Sequence, residues 1–183
     1  FMDEQKSLGE ILPKLSDSEK NELAALPDAE RTFAVACLSG TPIGKRSSWS
    51  NIKKGEVFVG LRAFEIDQVV SDTAVIGHKQ SVWLDGFSTG NLSDDSLLGV
   101  DGELFECVGN KQYTTVLGAQ KTVMHVTVVP TTDAVKVIKK LSESHGYRVW
   151  GEGMEYMAVA KLIRTSGSRV SLQYTNGKRF TVS

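Results

Sequence analysis

The chain has 183 residues, 21 Lys+Arg against 22 Asp+Glu for a formal charge of −1, and 40% hydrophobic residues. That balance excludes the basic excess of a dedicated nucleic-acid binder, and the even spread of apolar residues excludes a disordered chain. No apolar run is long enough to cross a bilayer as a helix, and the length suits one domain or two small ones.

The first segment predicts helix. Leu8, Ile11 and Leu12 recur at helical spacing before Pro13 interrupts them. Ser16-Asp17-Ser18-Glu19 has the form of a capping box, with Leu23-Ala24-Ala25-Leu26 as the apolar face behind it. Pro27-Asp28 ends that helix or starts another. Thr32 to Leu38 is either a helix after Asp28 or a strand leading into Gly40, and the helix is preferred.

From Thr41 to Asn51 the Ser, Gly and Lys residues read as a solvated loop. Short runs rich in Val, Phe, Ile, Thr and Tyr follow, at Val57–Val70, Thr73–Leu84, Gly102–Val108, Tyr113–Val116 and Lys121–Val129. The last has apolar residues on both faces: Val123 and Val129 share one, Met124, Val126 and Val128 the other. Strands of that kind are covered on both sides or belong to a closed barrel, and closure removes exposed edges. Pro130 ends the series.

Thr132 is the predicted N-cap of the next helix, with Val135, Ile138 and Leu141 as its buried stripe and Gly146 as its stop. The rest is β. Tyr156, Ala158, Ala160 and Leu162 alternate, Ser166-Gly167 turns, Val170, Leu172 and Tyr174 form a strand, Asn176-Gly177 turns again, and Phe180–Val182 returns.

The fold class read from this pattern is mainly β with N-terminal helices, α+β overall. It comprises a helical segment (1–40), a small β-barrel of OB-like or SH3-like type (41–130), a linking helix (131–146) and an SH3-like module (147–183).

The last segment carries a resemblance. Tyr147-Arg148-Val149-Trp150 opens it, Tyr156, Ala158 and Ala160 alternate, and Val170-Ser171-Leu172, Asn176-Gly177-Lys178 and Val182 close it. In this order they resemble the Sla homology domain one, a short module first recognised in a cytoskeletal adaptor, over about a fifth of the chain. The resemblance implies an SH3-like barrel that binds short Asn-Pro-Phe peptides. Similar modules occur in exported bacterial proteins. With Phe1 standing ahead of Met2, read as a cloning remnant, this leans the expectation toward an exported or periplasmic protein whose leader has been removed.

Catalytic signals are weak. His78, His125 and His145 lie on separate elements without ligand-spaced partners, and Cys37 and Cys107 are too isolated for a disulfide framework or zinc site. No nucleophile elbow, phosphate loop or dinucleotide fingerprint is present. His125 reads as a satisfied strand histidine, Asp94-Asp95 as a turn, and both cysteines as small buried residues. Lys45-Arg46 and Lys53-Lys54 flank Trp49, a pattern that can stack a base but equally suits a solvated loop. Trp83, between Val82 and Leu84, reads as core.

The expectation is a non-enzymatic binding or scaffolding protein with no cofactor or metal. Its partner is a peptide or protein, met by the aromatics Tyr147, Trp150, Tyr156 and Tyr174. The alternative is nucleic-acid or saccharide binding by the middle barrel.

Overall fold

The structure, a computed structural model, describes residues 9–41, 43–115, 117–151 and 157–182. It is mainly β, with 40% strand beside three helices. The chain divides into two compact units. Gly44–Val129 form one, and the segments on either side, up to Ile43 and from Pro130, form the other.

A 3-10 turn at Leu12–Lys14 leads into helix α1 (Asp17–Ala24). The predicted capping box is present. Ser16 Oγ accepts the Glu19 amide at 3.4 Å, and Glu19 Oε2 accepts the Ser16 amide at 2.8 Å. The Ser16 amide, the Ser16 hydroxyl and the Ser144 hydroxyl hold the Glu19 carboxyl down to about 2. Helix α2 (Asp28–Ser39) takes in Thr32–Leu38, buries Phe33, Ala34 and Leu38, and ends at Gly40 in the left-handed region, φ +71°.

The middle unit is a single eight-stranded sheet. Its strands are β1 (Gly44–Arg46), β2 (Val57–Gly60), β3 (Phe64–Ser71), β4 (Ala74–Gly77), β5 (Val82–Asp85), β6 (Leu97–Leu98), β7 (Leu104–Thr114) and β8 (Gln120–Val128). The order is β1-β2-β7-β8-β5-β4-β3-β6, with β1–β2 and β5–β8 parallel and the other pairs antiparallel. The sheet curls into a half-barrel, with β1 and β6 as its edges among the described residues. Its strands can still be apolar on both faces because the curl folds one face over Phe58, Phe64, Val75, Leu84, Phe105 and Val126.

The segment expected to be a solvated loop carries β1 and sends Trp49 into that core, 6% exposed and edge-on to Phe64 at 4.9 Å and Phe105 at 5.1 Å. The large apolar area of an indole outweighs its polar neighbours in sequence. Trp83 shows the converse. Val82 and Leu84 point inward, so alternation turns Trp83 to the outer face, where it is half-buried rather than core.

The run Thr73–Leu84 is broken by a backbone reversal. A side chain at Gly77 would meet the Glu65 carbonyl at 1.9 Å, and the next three residues, His78, Lys79 and Gln80, all have left-handed φ of 52°, 59° and 58°. Such residues cost roughly 1–2 kcal/mol each. Hydrogen bonds from the His78 amide to Glu65 O (3.0 Å) and from the Gln80 amide to Asp67 Oδ2 (2.7 Å) hold them there.

In the outer unit, helix α3 (Thr132–Ser144) packs against α2. Its buried face is Ala134, Val137, Ile138, Leu141 and Ser142; Val135 is only half-buried, a correction to the predicted stripe. Steps of three and four residues keep to one face of a 3.6-residue helix, whereas repeated steps of three drift off it. The cap is also corrected. Thr131, not Thr132, is the N-cap and its side chain makes no capping bond. Instead the buried carboxylate of Glu30 on α2 accepts the Ala134 amide at 3.3 Å, placing a negative charge where the helix dipole favours it.

Strands β9 (Arg148–Trp150), β10 (Ala158–Ser166), β11 (Arg169–Tyr174) and β12 (Arg179–Val182) follow as an all-antiparallel sheet in the order β12-β11-β10-β9. Cys37 and Cys107 are free; Cys107 is buried as expected, and Cys37 is half-buried, with its thiol pushed up to about 12 by burial.

The helix register gives a direct test by urea unfolding. Leu141→Ala is expected to cost about 2–5 kcal/mol. Val135→Ala, on the half-exposed flank, is expected to cost well under half as much. Equal losses at the two sites contradict this register.

Candidate functional site

Strand register sorts the C-terminal sheet into two faces. Cross-strand partners share a face, so Trp150 and Ala158, Ala160 and Tyr174, Leu172 and Phe180, and Val170 and Val182 lie on one. Val149 and Val159, Lys161 with Gln173 and Arg179, and Arg164 with Ser171 and Thr181 lie on the other.

The second face meets the helices. Helix α2 packs against β10 and α3 against β9. Tyr147, 4% exposed, donates its hydroxyl to Glu10 Oε2 at 2.7 Å. Lys161 Nζ sits 5.4 Å from the Tyr147 ring centre and 3.5 Å from the Glu10 carboxylate. The Tyr147 hydroxyl, helped by the Lys161 charge, holds Glu10 below the usual carboxylate range, while burial pushes the Tyr147 hydroxyl up. Tyr147 therefore ties the sheet to the N-terminal segment.

The first face is an open apolar groove of about 430 Å³, lined by Trp150, Ala158, Val170, Leu172, Tyr174, Phe180 and Val182. The Trp150 indole donates to the Ala160 carbonyl at 3.0 Å, which lays the ring across β10. Tyr174 stacks on Phe180 with ring centres 4.3 Å apart. Val182 is 49% exposed, and Leu162, opposite Leu172, is 52% exposed.

The turn between β11 and β12 fixes this register. Gly177 has the expected positive φ, +81°, but Asn176 does not, so the pair is not a two-residue type I′ loop. The Gly177 amide donates to Tyr174 O at 2.9 Å and the Tyr174 amide to Lys178 O at 2.8 Å. Asn176 uses its side chain instead: Nδ2 donates to Gly40 O at 2.6 Å, and the neighbouring Thr175 carbonyl accepts the Glu10 amide at 2.7 Å. The turn is thereby docked on the end of α2.

Of the four aromatics singled out from sequence, Trp150 and Tyr174 share the groove, Tyr147 lies on the opposite, helix-covered side, and Tyr156 falls outside the described residues. Phe180 is the member that sequence reasoning missed. Its signal was there, since pairing back from the Asn-Gly turn sets Phe180 beside Leu172 and Val182 beside Val170.

In the middle unit Arg46 is committed internally, with Nε 2.6 Å from Glu56 Oε1 and NH1 donating to Ser50 O at 3.1 Å. With Trp49 buried, the basic loop presents no stacking platform. On the outer face, Asp85 Oδ2 accepts the Trp83 indole N–H at 3.1 Å and pairs with His125 Nε2 at 2.8 Å, while Lys111 Nζ lies 4.0 Å from the Trp83 ring centre. Asp94 accepts the Val69 amide at 2.7 Å in a loop. Among the described residues no group of three or more His, Cys, Asp or Glu side chains is placed to hold a metal ion, and no helix is long and apolar enough to cross a membrane.

Comparison of the chain with protein-family models, curated proteins and solved structures finds no match.

The Glu10–Tyr147 pair has a pH signature. A carboxyl lowered by folding stabilises the fold above its unfolded value, and that contribution fades as pH falls toward its folded value. Tyr147→Phe is therefore expected to cost about 1 kcal/mol at pH 7, allowing for solvent screening around Glu10, and progressively less below pH ~4. A cost that stays constant down to pH ~2 by urea unfolding contradicts the pairing.

Proposed function

We propose that the chain is a non-enzymatic binding module that recognises a peptide or protein segment on the open face of its C-terminal sheet. One observation carries the reading: among the described residues the helices cover part of one face of the sheet, and the other leaves Trp150, Tyr174 and Phe180 around an apolar groove open to water. Exposed grooves of this kind, with rigid aromatic walls, suit an apolar anchor residue on an extended ligand.

The SH3-like reading of this unit belongs to the same proposal. It rests on the resemblance of Tyr147–Trp150, Val170–Leu172, Asn176–Lys178 and Val182 to the Sla homology domain one, and makes Asn-Pro-Phe peptides the first ligands to try. The OB-like reading of the middle unit, with nucleic acid or saccharide as its ligand, has less behind it, because Trp49 lies in the core and Arg46 is paired with Glu56.

Titration with Asn-Pro-Phe and other Phe-bearing peptides, followed by amide shifts of the C-terminal sheet, tests the reading. Saturable shifts are expected around Trp150, Tyr174 and Phe180, with at least tenfold weaker binding in Tyr174→Ala. No shift at millimolar peptide, or shifts confined to the middle unit, contradicts it.

A further inference from the structure

The near-neutral charge of the whole chain hides a local excess. Between Met157 and Val182 there are five cations, Lys161, Arg164, Arg169, Lys178 and Arg179, and no Asp or Glu. Lys161 pairs with Glu10; Arg164, Arg169, Lys178 and Arg179 have no acidic partner among the described residues. By register Lys161, Arg164, Arg169 and Arg179 lie on the face opposite the groove, whereas Lys178, in the turn, follows the side of Tyr174. Arg164 and Arg179 line a second concavity of about 520 Å³ on the reverse side of the sheet, with Ile163, Ser171, Thr181 and the edge of Phe180.

Both concavities meet at β12, which is the edge strand of the sheet, with β11 its sole strand neighbour among the described residues. Phe180 and Val182 line the apolar groove, and Arg179 and Thr181 line the basic concavity. The strand at the opposite edge, β9, is contacted by α3. An exposed edge carries unpaired backbone N–H and C=O groups, which a further strand can pair.

We propose that the partner of this face is an extended segment of alternating apolar and acidic residues that pairs with the free edge of β12. The inference rests on the peptide-binding reading above and specifies its ligand. Successive side chains of an added strand point to opposite faces. One set therefore falls beside Phe180 and Val182 and enters the groove. The intervening set falls beside Arg179 and Thr181, toward Arg164, where carboxylates complete ion pairs left open among the described residues. Exposed pairs of this kind add little affinity singly, but they select partner and register. A second copy of this chain fits poorly, because pairing two β12 edges brings their own cations together.

The test uses the intact chain and three ten-residue peptides: one alternating Phe/Val with Glu, one with every Glu replaced by Lys, and one with the first composition in scrambled order. The readouts are amide shifts and hydrogen exchange of β12. The alternating acidic peptide is expected to bind at least tenfold more tightly than either control and to slow exchange along Arg179–Val182. Arg179→Glu, a change at an exposed position, is expected to reverse the preference in favour of the Lys peptide.

Equal binding of all three peptides overturns this inference and leaves the peptide-binding reading standing. No binding of any of them, together with no response to Phe peptides, removes both. An oligonucleotide that shifts Arg164 and Arg179, where no peptide does, overturns it in favour of nucleic acid. Sedimentation of the chain as a dimer that Thr181→Pro dissociates, with no peptide bound, overturns it in favour of a second copy.

Discussion

A four-stranded sheet offers two faces, and the helices of the outer unit cover part of one of them. The covered side is held by polar ties as much as by apolar contact. Glu30 caps α3 from α2, Tyr147 reaches Glu10, and Asn176 reaches the carbonyl of Gly40. Each joins residues far apart in sequence: the first fixes α3 to α2, and the other two fix the N-terminal segment and the end of α2 to the sheet. Four strands are too few to curl shut over their own apolar side. The middle unit meets the same constraint with eight strands, which curl around Phe58, Phe64 and Phe105 and need no helix.

Asymmetry follows from this arrangement. On the open face β10, β11 and β12 are apolar, with Leu162, Leu172 and Phe180 in one row. On the reverse face, the same three strands carry Arg164, Ser171 and Thr181 in the next. The helix-covered part of that reverse face holds Tyr147, Val159 and Lys161, and its far end holds the arginines. A sheet built this way has a greasy side and a cationic side that meet along β12.

Local features of the fold were legible in the sequence, and long-range ones were not. The capping box of Ser16 and Glu19 spans three residues, and the hairpin at Gly177 is set by one glycine; both read directly. The α3 cap did not, because Glu30 lies 104 residues from Ala134. The two indoles exchanged places with expectation for a related reason. Which residues of a strand or loop face inward depends on tertiary register: Trp49 fills the core of the half-barrel, while Trp83 faces out between two inward neighbours. The parallel pairs β1–β2 and β5–β8 leave no turn signal in the sequence to mark them. Of the aromatics singled out from sequence, Trp150 and Tyr174 fall on the groove face. Tyr147 falls on the other side, since residues three apart in extended chain face opposite ways.

The open face is the premise on which the functional reading stands. It is measured most directly by adding a soluble paramagnetic agent to the methyl- and aromatic-labelled protein and following the relaxation of individual side chains. Strong enhancement at Leu162 and Val182, intermediate enhancement at the half-buried Phe180, and little at Phe33, Leu38 and Val159 is the predicted result. Protection of Phe180 and Val182 equal to that of Phe33 contradicts the account, because the groove would then already be covered within the free chain.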